Sequence, residues 1–403
     1  MQPMIATLLL FAAPATAQEA PPPNPDRDIV VTGVRLEDTR KALESCLAQH
    51  CSPREDMAAT LAHTENLFVA GKYQMAHRVV SAGVDRNRRY GRELPREVAG
   101  LLRAHARLSG TLGDIGLQRS STLDLVSVLK SGLPANTPDI QIAQIELADV
   151  YGKNGNYLIA EANYRQIEAD ARAAGNLQAE GYARFRRGVM LLALSETDGA
   201  FRGRARDVLQ DVARSTVPEH AVFVDGARIG LGRIAARQSG KQGGDQMLAN
   251  MPALAATTRP TLIYGEPIRL NVTRLEEEGG SVTRRLATDS VEDQWIDVTF
   301  MIDRDGKPQD IEAARTSAGY SGDWADKVIE SVQSRRYAPL KLAAGTPGLF
   351  RVERYTKTAP FTTGTGTRIR QRSTESRVEM IDLSIEPAAP LGTPMTGSAG
   401  PAA

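Results

Sequence analysis

The stretch LADVYGKNGNYLIAEANYRQIEADARAAGN, Leu147 to Asn176, decides how the chain folds. Leu147, Ala148 and Tyr151 fall on one side of a helix, and Tyr157, Ala160 and Tyr164 repeat that spacing after a break. The break is Gly155-Asn156, where left-handed backbone is cheap for Gly and tolerable for Asn. Two helices joined by a short turn follow. Ala148 and Ala160 let them approach closely, while Tyr151 and Tyr164 fill the wider gaps.

A second copy, TENLFVAGKYQMAHRVVSAGVDRN, places Gly71, Tyr73 and Ala76 where the first has Gly155, Tyr157 and Ala160. This pattern resembles the tetratricopeptide-repeat (TPR) superfamily. The copies are offset by 84 residues, which is not a multiple of the usual 34 or so. The unit between them, around LLRAHARLSGTLG, is therefore expected to have longer helices or an insertion. A further unit runs through ARFRRGVMLLAL and RARDVLQDVA, with Gly188 and Ala200 as its small residues, and a helix follows at AVFVDGARIGLGRIAAR. About four helix pairs result, over roughly half the chain. The resemblance implies a solenoid whose concave face binds peptides or proteins. The basic run Arg86, Arg88, Arg89 and Arg92 reads as a solvated face.

The net charge of +1 gives no basic field for nucleic acid. Met4 to Ala13 is apolar and is followed by Pro14 and Ala15-Thr16-Ala17, the core and end of a secretory signal, although the usual basic n-region is missing. The expectation is a soluble periplasmic protein starting near Gln18; the alternative is an uncleaved inner-membrane anchor. Cys46 and Cys51, the only cysteines, are expected to be bridged in that compartment. The bridge requires the helix through Leu43 and Leu47 to end near His50. Reading Cys46, His50 and Cys51 as a metal cluster lacks a fourth ligand, so no metal is expected.

After Pro252 helical periodicity stops. WIDVTFMIDRDGKPQDIEAARTS alternates, with Ile296, Val298, Phe300 and Ile302 on one face and Asp297, Thr299 and Asp303 on the other, a half-buried strand. Asp305-Gly306 is a turn, and a second strand runs from Pro308 to Thr316. A helix follows through Ala325, Val328, Ile329 and Val332, with Ser321 or Asp323 as its cap. A third strand starts at Leu349. The hairpin and the helix end SRRYAP resemble the C-terminal domain of the TonB family, over roughly Thr261 to Phe361. In that family the domain adds an extended "box" peptide of an outer-membrane receptor to its sheet. The implied acceptor here is the exposed edge of the third strand: Leu349, Phe350, Arg351, Val352, Glu353, Arg354 and Tyr355. Arg351, Glu353 and Arg354 are expected as rim charges. The chain departs from the family in lacking a clear anchor and a long proline-rich spacer.

DRDIVVTGVR, Asp26 to Arg35, resembles a box peptide: Asp28, then Ile29, Val30, Val31 and Thr32, largely β-branched and extended. Its other readings are that Ile29 to Val34 adds a plain edge strand or covers an apolar patch, or that the segment is disordered. No catalytic constellation is visible. His50, His63, His77, His105 and His220 are scattered, and no G-x-S-x-G, H-E-x-x-H or Walker loop occurs. No cofactor is expected. The fold class is α+β multidomain, an α-helical TPR-like solenoid followed by a small β-α-β TonB-like domain. The expected divisions are signal peptide 1–17, N-terminal arm 18–40, helical repeats 41–250, linker 251–290, TonB-like domain 291–361, and extension with disordered tail 362–403. The expected function is a non-enzymatic periplasmic interaction scaffold. Its partners would be proteins, with TonB-dependent receptors, TonB-system components and a second copy of the chain as candidates. The alternative is an envelope-assembly component whose C-terminal domain only packs or dimerises.

Overall fold

The computed structural model describes residues 34–135, 137–239, 254–255, 260–268, 270, 293–363, 370–373 and 376–384. The expected signal peptide, the box-like segment Asp28 to Thr32 and the tail after Glu386 lie outside them.

The N-terminal part is ten helices in sequence: α1 Leu36–Ala48, α2 Pro53–Val69, α3 Tyr73–Asn87, α4 Pro95–Thr111, α5 Ile115–Gly132, α6 Pro138–Lys153, α7 Tyr157–Ala173, α8 Leu177–Thr197, α9 Arg202–Ala213 and α10 Ala221–Ser239. Proline opens α2, α4 and α6, where its missing N–H costs nothing. Ser52 and Glu55 close a capping box on α2, and Asp114 and Asn176 cap α5 and α8. Gly71, Gly113 and Gly155 end α2, α4 and α6 with φ of 74°, 78° and 80°. They recur every 42 residues. The expected insertion in the middle unit is therefore corrected. Helices of 15 to 18 residues occur in all three of these hairpins, so the extra length is spread evenly.

The repeat shows in the packing. Ala76, Ala143, Ala148, Ala160 and Ala183 are fully buried where helices cross, and Tyr164 fills the space beside them. Arg96–Asp139 and Arg103–Glu146 join α4 to α6, and Arg204–Glu161 joins α9 to α7, each an ion pair between residues 43 apart in adjacent repeats. In the fourth hairpin Asp198 turns the chain by accepting from the Ala200 amide. Ala200 itself is exposed; the buried small residue of α9 is Ala205, while Gly188 of α8 lies against Leu209. Arg86 is not part of a solvated face, since Asp56 and Thr60 hold it.

The C-terminal part holds β1 Leu254–Ala255, β2 Leu262–Tyr264, β3 Trp295–Ile302, β4 Pro308–Thr316, α11 Trp324–Gln333, β5 Arg336–Tyr337, β6 Leu340–Lys341, β7 Leu349–Thr358, β8 Phe361–Thr363, β9 Arg370–Arg372 and β10 Arg377–Asp382. The main sheet is antiparallel in the order β10-β7-β3-β4. Ile296, Val298, Phe300 and Ile302 pack under Trp324, Val328 and Val332 of α11. Asp303 accepts from the amides of Asp305 and Lys307, which builds the β3–β4 turn. Neither expected cap of α11 operates: Asp323 makes no side-chain capping bond, and the Ser321 amide binds Gln294. The half-buried reading of β3 is also corrected. Asp297 and Thr299 are buried, and at the Asp297 end the second face of the sheet lies against the helical array.

Candidate protein-interaction site

The third C-terminal strand does not form an edge. β10 pairs with β7 from Arg377↔Thr358 to Asp382↔Glu353, and β3 pairs along its other side. Leu383 N–H donating to Val352 O (2.8 Å) carries the contact one residue further. From Val352 to Tyr355 the assigned acceptor edge is thus occupied by part of the C-terminal extension, which corrects the edge reading. Six residues with Val378 and Met380 on one face are a strand signal, but a brief one.

The charges of β7 are not rim charges either. Arg351, Glu353 and Arg354 are all buried. Arg351 pairs with Asp382 of β10. Glu353 accepts from Arg335 Nη1 at 2.7 Å and from the Tyr355 hydroxyl, while Arg335 also donates to Tyr337 Oη at 2.9 Å and Tyr355 Oη at 2.7 Å. Burial pushes the Tyr355 phenol well above its ordinary range, with the Glu353 carboxylate adding to it. Burial likewise moves Tyr337 up to about 12. Burial alone would lower Arg335; the surrounding Tyr355, Glu353 and Tyr337 oxygens outweigh it and hold the cation well above its usual value. Leu349 and Val352 are half-buried, and Phe350 is exposed.

Arg354 points to the opposite face and ties the sheet to the array. Its guanidinium donates to both oxygens of Asp297 (2.6 and 2.9 Å) and stacks 3.9 Å from the centre of the Trp295 ring. The same group donates to two carbonyls at the end of α2, Val69 O at 2.6 Å and Phe68 O at 3.3 Å, the latter also accepting from the Gly71 amide. Beside it, Tyr73 and Thr356 share a hydroxyl hydrogen bond of 2.9 Å. Gly71 lies under the Trp295 indole so closely that a Cβ would overlap the ring.

The next turn repeats the arrangement. Phe361 N–H donates to Gly113 O at 3.0 Å, and Arg372 donates to Leu112 O at 2.6 Å. Arg370 pairs with Asp114 at 2.9 Å. A third contact sets Ile263, Tyr264 and Ala338 against Ile229 and Ala236 of α10. Through the main sheet, the β8–β9 ribbon and the β2–β5 ribbon, the C-terminal part therefore spans the array from its first full hairpin to its last described helix.

Between the first two contacts lies a stacked imidazole pair, His77 and His105, with ring centres 4.7 Å apart. His77 Nε2 meets Ser109 Oγ at 3.2 Å, and His105 Nδ1 meets Ser121 Oγ at 2.8 Å. Burial, with His77 as neighbour, depresses His105 to about 4; burial also lowers His77. Cys46 in the last turn of α1 is joined to Cys51, just past its end, by a disulfide with Cα atoms 5.1 Å apart. Among the described residues no cluster of His, Cys, Asp or Glu is placed to hold a metal, and no helix is long and apolar enough to cross a membrane.

The array defines a TPR-like repeat protein by its own geometry: antiparallel hairpins, positive-φ glycine turns and small residues at the crossings. No protein-family profile and no curated protein matches the chain. Among solved structures it is similar to a Podosopora anserina protein described as a kinesin light chain with nearly identical TPR-like repeats. Identity there is 15% over 48% of this chain and 85% of that one, with a TM-score of 0.38. A single-substitution variant of that protein gives 14%, 51%, 86% and 0.35. A Rap protein complexed with Competence and Sporulation Factor gives 16% identity over 51% of this chain and 59% of that chain, with a TM-score of 0.32.

Proposed function

We propose that this chain is a non-enzymatic interaction scaffold of the periplasm. In this reading the TPR-like array binds one protein and the TonB-like sheet takes an extended strand of another, such as the box segment of a TonB-dependent receptor. The observation that carries it is the contrast between the two sheet edges. β4 is interrupted twice in its register with β3, and Asp310 within it has φ of 50°. Such bulges blunt an edge against added strands. β10 keeps unbroken register with β7 over all six of its residues. The regular edge is the outer side of β10, and it replaces β7 as the proposed acceptor. The hairpin–helix–strand order supports the TonB-like reading, and the Cys46–Cys51 bridge suits an oxidising compartment.

A second reading has a specific observation in its favour. Three separate contacts fix the C-terminal part to the array, as expected of an envelope-assembly component whose C-terminal domain is a brace. A labelled Asp26–Arg35 peptide added to the full chain distinguishes the two. Strand addition predicts binding, protection of β10 amides from hydrogen exchange, and loss of both with a Val31→Pro peptide. Equal binding of the two peptides, or none, would leave the brace.

A further inference from the structure

The internal docking joins two kinds of surface, a glycine turn tip and the open face of the sheet. Each occurs again without its mate. On the array, Gly71 and Gly113 are crowded by Trp295 and by the Ala359 carbonyl, whereas a Cβ built at Gly155 would meet nothing within 4 Å. Just past this third tip, Leu158 and Ile159 at the start of α7 are 67% and 47% exposed. Ile159 is the repeat equivalent of Leu117 and of Met75, which is itself 45% exposed, while Leu158 stands where the siblings have Gly116 and Gln74, so the exposed apolar pair is particular to this tip. On the sheet, the face that carries Trp295, Asp297, Arg354 and Thr356 continues along the same strands. By register it holds Met301 and Thr299 opposite Phe350 and Val352, with Ile381 of β10 opposite Arg354. Phe350 is 45% exposed; Met301, Val352 and Ile381 are half-buried.

We propose that the α6–α7 tip of one copy docks on the Met301, Phe350, Val352 and Ile381 half-face of a second copy. The contact repeats between molecules the turn-on-sheet contact that each makes within itself. The occupant is argued from continuity, because the half-face is the direct extension of a surface that already receives a turn of this array. The tip is that turn's repeat equivalent, and both patches are apolar and reach solvent, through Leu158 and Ile159 on the one and Phe350 on the other. The two patches are different surfaces, so the contact is heterologous: each copy has one tip and one half-face to offer, and association proceeds head to tail.

Sedimentation equilibrium of the full chain between about 1 and 200 µM tests this, a range suited to a contact smaller than a standard interface. Average mass should rise with concentration. Leu158→Asp and Phe350→Asp should each return the protein to monomer, with circular dichroism melting unchanged because both side chains face solvent. Mixing the two variants should restore a species of two copies and no more, since one intact tip then meets one intact half-face. A monomer throughout the range overturns the proposal. So does association that survives either substitution. A mixture of the variants that stays monomeric overturns it as well, by showing that like surfaces meet like.

Discussion

The helical array and the C-terminal sheet are held together by different kinds of contact. Array contacts are short in sequence: hairpin partners are neighbours, and the ion pairs between repeats join residues 43 apart. Each step repeats the last, so stability accumulates from similar units. The sheet depends on contacts that span the chain. Arg354 reaches carbonyls 285 and 286 positions earlier, and Tyr73 meets Thr356 across 283. A repeat array tolerates the loss of one polar link because its neighbours persist. The junction concentrates its polar links on a few buried groups, and removal of one leaves others unsatisfied.

The sharpest way to break this contrast is Arg354→Ala. It would leave Asp297 buried with only the partly exposed Arg315 as a partner, and take from the Val69 carbonyl its Arg354 donor. The expected cost is about 3–5 kcal/mol. Urea unfolding should split into separate array and sheet transitions. A single transition with an unchanged midpoint would show that the junction is not cooperative.

Gly71 and Gly155 allow a matched comparison, having nearly the same φ but different surroundings. Gly155→Ala should cost about 1–2 kcal/mol, the backbone penalty alone. Gly71→Ala carries that penalty and also displaces the Trp295 ring, for a total of about 3 kcal/mol. Thermal melting of the two variants measures the difference. Equal losses would mean that Trp295 contributes nothing at its seat.

The imidazole pair sharpens the comparison through pH. His105 titrates at about 4 when folded and at about 6.5 when unfolded. The unfolded chain therefore binds more protons between these values. Stability contributed by the neutral ring is complete above about pH 6.5 and declines as pH falls toward 4. Asp85 and Asp114 oppose the shift and limit its size. The loss should be on the order of 3 kcal/mol by pH 4. His105→Asn should flatten the dependence of melting temperature on pH in that interval, and an unchanged slope would assign it elsewhere. The smallest effect belongs to the array. Arg96→Ala removes a largely exposed partner of Asp139 and should cost about 0–1 kcal/mol, read as a small midpoint shift in urea.

The array was legible because its signals are local. Gly155 with Tyr157 and Ala160, and Gly71 with Tyr73 and Ala76, each report a hairpin within a few residues. The period was harder to read. In the middle unit Gly113 stands in register, but Ile115 and Gln118 replace the aromatic and alanine of its siblings, so the 42-residue rhythm was mistaken for an interrupted shorter one. The β3–β4 turn and α11 were also readable, since turn chemistry and a helical apolar stripe are local properties.

The neighbours of β7 were not readable. Arg351, Glu353 and Arg354 look like surface charges in a one-dimensional string, because charged residues are almost never buried unless paired. Their partners lie elsewhere: Asp382 in β10, Asp297 in β3 and Arg335 in the link between α11 and β5. The strand that closes the sheet, RVEMID, is too brief for its alternation to stand out from the polar residues around it. By itself the amino-acid order determined the repeat hairpins, the strand–turn–strand–helix succession and the close pairing of Cys46 with Cys51, all set by groups a few residues apart. Tertiary structure alone decided which strand borders which, which charges are buried, and that two glycine turns support a sheet while the third stays open. Those outcomes depend on the packing of segments hundreds of residues apart, which no local pattern encodes.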